Sequence, residues 1–187
     1  MISASGRPEF EYNRDLALEV RAALLAAGFA VRLIGERGDY AVLYDRTRDA
    51  VGADLLVSIH HDSVQERLLP QAERFAGFSL FVSRDNPALD KSRACASAIG
   101  AQLRGAGFTP SRYHADPVLG ENRPFADEAN GVHYYDNLAV SRTASMPALL
   151  VEAGVIVNRA EDERMRNPEA HRSIAHAIAQ GVRQCLP

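Results

Sequence analysis

Leu55-Leu56-Val57-Ser58-Ile59-His60-His61-Asp62 is the stretch from which the fold is read. Its first five residues are aliphatic apart from one serine, too uniformly apolar for a strand with one wet face. A run of this kind suits a strand covered on both sides. It then breaks into His-His-Asp, three groups able to bind a metal or move a proton. In open α/β sheets, ligands bind in the crevice beyond the carboxyl ends of the strands. A second run, Ala148-Leu149-Leu150-Val151, meets Glu152 in the same way before Ala153-Gly154. Two buried strands that each end on a titratable side chain predict one shared site.

Outward from that strand, the chain alternates helical and extended patterns. Residues 11–27 carry Leu16, Val20, Ala23, Leu24 and Ala27 at three- and four-residue steps, with Gly28 as terminator. A strand is predicted over Phe29–Ile34, then an amphipathic helix over 40–52. Residues 63–76 read as a polar loop or lid, 77–82 as a strand, and 86–105 as a helix opened by Asn86-Pro87. Residues 109–137, with Pro110, Pro117, Pro124 and the group His133-Tyr134-Tyr135, are irregular and are expected to border the site. Residues 137–140 resemble a short strand, and Asn167-Pro168 opens a last helix bearing Ile174, Ala177, Ile178 and Val182. This alternation predicts an α/β fold with parallel crossovers. No internal repeat or linker divides it, so one domain is expected over 1–187.

A chain of 187 residues can bury roughly 70% of its unfolded surface. A net charge of −3 gives no electrostatic case for nucleic acid. There is no apolar run near the ~20 residues of a membrane span. Met1 leads straight into a polar, turn-like Ile-Ser-Ala-Ser-Gly-Arg-Pro, unlike a signal peptide. Either the protein is cytoplasmic or its natural N-terminus lies elsewhere. Cys95 and Cys185 each fall in a helical pattern and read as small buried apolar residues, not as a framework.

His60 is the first candidate, since neutral imidazole is the commonest metal ligand and Asp62 is near enough to orient its second nitrogen. His61 should point to the opposite face. Glu152, costly to bury unpaired, is the candidate general base. Glu9 and Glu11 open a helix, where carboxylates suit the macrodipole in any case. His171 and His176 read as solvated. His114 and His133 show no zinc-motif spacing, although His133 lies in the segment expected at the site. Arg142 suits either a developing oxyanion or an ordinary ion pair.

In three segments the chain resembles the zinc-dependent N-acetylmuramoyl-L-alanine amidases of the third amidase family. Glu11-Tyr12-Asn13-Arg14-Asp15-Leu16-Ala17-Leu18 resembles the family's glutamate-led first helix. Ala53 to His60 resembles its AD-x-x-(V/I)-S-(I/L)-H strand. Leu138-Ala139-Val140-Ser141-Arg142 and Met146 to Gly154 resemble its L-x-V-L-R … M-P-A-(V/I)-L-V-E-x-G-F segment, with Asn158 at the usual asparagine. The resemblance implies a three-layer, mainly parallel mixed sheet with helices on both faces. It implies Zn2+ held by Glu11 and His60, with Glu9 as the substitute for Glu11 two residues away. Glu152 would be the catalytic glutamate and Arg142 a transition-state or substrate contact. Asp62, His133 and Asn13 complete the expected substrate-facing set. The implied reaction cleaves the amide between muramic acid and the L-alanine of the peptidoglycan stem peptide, outside the cytoplasm. The family's opening strand, ending in a Gly-His ligand, has no counterpart here. A preceding segment carrying that strand and an export signal is therefore expected. Two other readings are a carboxypeptidase-like zinc hydrolase and a catalytically silent cell-wall-binding module.

Overall fold

The computed structural model describes residues 1–40 and 42–186. Six helices occur among them: α1 (Glu9–Ala26), α2 (Leu43–Asp49), α3 (Leu89–Gly105), α4 (Ala139–Thr143), α5 (Arg159–Met165) and α6 (Pro168–Cys185). Five strands form one sheet: β1 (Leu56–Asp62), β2 (Ser79–Val82), β3 (Phe125–Asp127), β4 (Val132–Tyr134) and β5 (Ala148–Val155), in the order β1-β5-β2-β4-β3. β1 pairs with β5, and β2 with β4, in parallel; β2–β5 and β3–β4 are antiparallel. The sheet is mixed, as the resemblance implied, but the two pairing senses are evenly divided rather than mainly parallel.

Alternation along the strands sorts the two faces. Leu149, Val151 and Ala153 of β5, with Leu55, Val57 and Ile59 at β1, pack into the main core beneath α1, α3 and α6. Ala148 and Leu56 turn the other way, into a smaller cluster with Ala50 and Met146. A 3-10 segment, Glu66–Arg74, covers Val155 and Val157 through Leu68, Ala72 and Phe75. The stretch expected as a polar lid is thus anchored by its own apolar residues.

Three other expectations differ from the structure. Phe29–Ile34 forms no strand, because strand structure requires a paired neighbour and none lies alongside it. It lines a groove of about 770 Å3 whose other wall is the free flank of β1, and whose lining includes Glu9 and His60. Residues 139–143 are helical rather than extended. The irregular 109–137 segment contains β3 and β4, each too short for its alternation to stand out in sequence.

α3 and α6 meet at unusual closeness. A Cβ on Gly181 would stand 2.5 Å from the Ile99 Cα, so only glycine admits this crossing. One turn away on each helix, Cys95 and Cys185 are joined by a disulfide across a Cα separation of 5.1 Å. This corrects the reading of the cysteines as unlinked apolar residues. They are 90 positions apart in sequence, and only the antiparallel packing of the two helices brings them together. Reduction, or Cys95→Ala, should lower unfolding stability by about 2–4 kcal/mol, read as a drop in Tm under reductant. An unchanged Tm would contradict the linkage. Gly181→Ala should also destabilise, because a backbone contact cannot move aside as a side chain can.

Candidate active site

The parallel β1–β5 ladder places His60 opposite Glu152, and the antiparallel β2–β5 ladder places Ser79 on Glu152's other side. Paired residues share a face, so these three side chains leave the sheet on the face opposite Val57, Ile59 and Val151. Phe81, opposite Leu150, and His133, opposite Phe81, extend the row.

α1 begins just after Pro8, and its first turn carries Glu9 and Glu11. Glu9 faces the sheet: its Oε1 lies 3.1 Å from His60 Nδ1 and accepts from Asn13 Nδ2 at 2.9 Å. Glu11, two residues on and therefore about 200° around the helix, instead pairs with Arg7 at 3.0 Å. The expected partner of His60 is thus corrected from Glu11 to Glu9. Burial alone would lift the Glu9 carboxyl, but the hydrogen bonds from His60 and Asn13 outweigh it and hold it down at about 2.

Asn13, which lines the groove beside Glu9 and His60, uses both ends of its amide for support. With its Nδ2 donating to Glu9, its Oδ1 accepts from His61 Nδ1 at 2.9 Å. His61 therefore carries its proton on Nδ1. It lies on the opposite face from His60, as expected, 1% exposed among Tyr12 and His171. Burial, with His171 nearby, lowers its pKa to about 3 and keeps the ring neutral. His171, read as solvated, is in fact buried in this cluster, whereas His176 is exposed.

Asp62 is also fully engaged. Its Oδ1 accepts the Ser63 amide at 2.8 Å, and its Oδ2 accepts the Tyr113 hydroxyl and stands 2.8 Å from His114 Nε2. His133 is completely buried between Phe81 and Phe125, and burial drops its pKa to about 4. Arg142 bonds the Tyr44 hydroxyl at 3.3 Å on α4, a helix that packs against α2 and the start of β5. Its observed partner belongs to that end of the sheet.

Glu152 is half-buried, yet its Oε2 is sealed from solvent and has no hydrogen-bond partner; Ser79 Oγ beside it is likewise sealed and unpartnered. Burial, followed by the charges of Asp62 and Glu9, raises the Glu152 pKa well above its usual 4.5. Sequence reading missed Ser79 and the group Tyr113, His114, Glu121 and Arg123. The available signal for Ser79 was a polar residue in an otherwise apolar strand. The other four sit in an irregular segment with no period to place them.

Among the described residues, no group of three or more His, Cys, Asp or Glu is arranged to hold a metal ion. Glu9 and His60 form a two-donor pair of the kind zinc accepts. With the Glu9 carboxyl at about 2 in the folded chain against an ordinary 4.5, its contribution to stability is full above pH ~4.5 and fades as pH falls toward ~2. Glu9→Gln should therefore flatten the acid limb of an unfolding-stability profile. An unchanged slope between those pH values would show that Glu9 is not held by His60 and Asn13.

The family described as N-acetylmuramoyl-L-alanine amidase matches residues 1–184. The "Probable cell wall amidase LytH" of Staphylococcus saprophyticus is 28% identical over 173 residues, covering 92% of this chain but 48% of that protein. The chain thus spans about half the length of that relative. The N-acetylmuramoyl-L-alanine amidase Rv3717 of Mycobacterium tuberculosis is 26% identical over 189 residues, covering 95% of this chain and 68% of that protein. The crystal structure of the amidase Ami1 from Mycobacterium smegmatis superposes with a TM-score of 0.76 at 25% identity, covering 100% of this chain and 80% of that chain. The catalytic domain of CwlV from Bacillus (Paenibacillus) polymyxa var. colistinus shares the fold, with a TM-score of 0.75 at 23% identity over 98% of this chain and 88% of that one. Matched along nearly its whole length, the chain belongs to the N-acetylmuramoyl-L-alanine amidase family.

Proposed function

We propose that the chain hydrolyses the amide bond between N-acetylmuramic acid and the L-alanine of the peptidoglycan stem peptide, with Glu152 as general base. The supporting observation is Glu152 itself: a carboxyl opposite His60 across the β1–β5 ladder, with one oxygen sealed and unpartnered. An oxygen in that state can take a proton without first giving up a bond, and the burial that raises its pKa favours the protonated form reached during the reaction. Glu152 removes a proton from the attacking water as the carbon–oxygen bond forms. It returns that proton to the alanine nitrogen as the carbon–nitrogen bond breaks.

Glu9 and His60 would hold a zinc ion, and their carboxylate and imidazole donors fit that ion in kind. Bound zinc would supply polarisation of the scissile carbonyl and acidification of water. Asn13 orients Glu9 from behind. Two protein donors fall short of the three that catalytic zinc usually keeps. The 187-residue chain should therefore bind zinc weakly, seen as sub-stoichiometric metal after dialysis; a tight one-to-one complex would contradict that count.

The Cys95–Cys185 disulfide supports action in an oxidising compartment, extracellular or periplasmic, where disulfides persist and where the substrate lies. No described helix is long and apolar enough to cross a membrane.

Incubation with muropeptides should release intact stem peptides bearing a free L-alanine amine. Glu152→Gln should lower that rate about 10²–10⁴-fold while leaving the fold unchanged by circular dichroism. Cleavage elsewhere in the muropeptide would refute the assigned bond, and a fully active Glu152→Gln variant would refute the base.

A further inference from the structure

His114 lies in the short 3-10 turn Tyr113–Ala115, only 3% exposed, with a carboxylate at each ring nitrogen. Nε2 is 2.8 Å from Asp62 Oδ2, and Nδ1 is 3.1 Å from Glu121 Oε2. Ionised carboxylates only accept, so Nδ1 donates to Glu121, while Nε2 stands at ion-pair distance from Asp62 without hydrogen-bond geometry; two facing carboxylates are matched in charge by an imidazolium. Burial alone opposes that charge, but the two carboxylates prevail and the pKa is raised. Tyr113 stacks on the ring at 4.1 Å, with Phe81 edge-on at 4.9 Å and His133 at 5.6 Å.

The chain of charges continues outward. Glu121 Oε2 also takes Arg123 at 2.9 Å, and the Arg123 guanidinium lies 3.3 Å from the Tyr135 ring centre. Backbone bonds from Arg123 and Glu121 to the His114 carbonyl close the loop on itself. The result is an alternating Asp62–His114–Glu121–Arg123 series. It runs from the end of β1, two residues past His60, to the wall of the site facing Glu152.

We propose that His114, as an imidazolium, is a positioning residue that fastens the wall formed by residues 113–123 to the end of β1. It touches no reacting atom. It fixes Asp62 and, through Glu121, Arg123, so that the side of the cleft facing Glu152 is set before substrate arrives. Only the kinetic consequence rests on the amidase reading; the fastening itself does not.

The test compares wild type with His114→Gln, which keeps bulk but cannot be cationic, and with Glu121→Gln, which leaves His114 one charged partner. Long-range ¹H–¹⁵N NMR of the ¹⁵N-histidine-labelled protein should show both ring nitrogens of His114 protonated at pH 7.5, a signature absent in His114→Gln. Amide exchange over 113–123 should accelerate in His114→Gln while the sheet stays protected. Stem-peptide release should lose about 10–100-fold in kcat, as for other groups that orient a site from behind, with KM little changed; Glu121→Gln should fall between. A single ring N–H on His114, or unaltered exchange over 113–123, would overturn the proposal, as would wild-type kcat in His114→Gln. If the wild type released no stem peptide, the amidase reading would fail, and the NMR and exchange results would still decide the fastening.

Discussion

Everything in the site depends on one register: β1 runs parallel to β5 with His60 opposite Glu152. Because side chains alternate with a period of two, a slip of one residue would send His60 into the helix-covered core and bring His61 to the cleft. The register is fixed by burial on both sides. Val57 and Ile59 pack under α1 and α6, Leu56 packs into the opposite cluster, and Leu149 and Val151 do the same work on β5. Apolar packing, which is non-directional in itself, thereby sets the geometry of two polar groups.

Concentrating carboxylates at one sheet edge creates a second constraint. Glu9, Asp62, Glu121 and Glu152 crowd together, and each except Glu152 has a side-chain donor or ion-pair partner in contact. Glu9 has His60 and Asn13, Asp62 has Tyr113 and His114, and Glu121 has His114 and Arg123. Glu152 alone keeps a sealed oxygen without a partner. The difference in partners, not in residue type, separates Glu152 from the other three carboxylates.

The sequence made the strands β1, β2 and β5 and the long helices α1, α3 and α6 legible, because burial there leaves a strong period or an unbroken apolar run. It also marked His60 and Glu152, which end such runs. The short elements were harder: β3 and β4 have three residues each, too few to show alternation. The 29–34 segment looked like a strand because it is apolar, but apolarity supplies no neighbour to pair with. Choosing between Glu9 and Glu11 required knowing which side of α1 faces the sheet, and Tyr12, Leu16 and Val20 settle that only once the helix is placed. The His114 series escaped for the same reason as the disulfide: its members become neighbours only through the fold.

The central claim, that Glu9, His60 and Glu152 form one centre, is tested most directly by a crystal structure of zinc-soaked protein with anomalous data at the zinc edge. The account predicts a peak between the Glu9 carboxylate and the His60 imidazole, with the Glu152 carboxylate turned toward the same space. A peak at Glu11, or a Glu152 side chain directed away from His60, would contradict it.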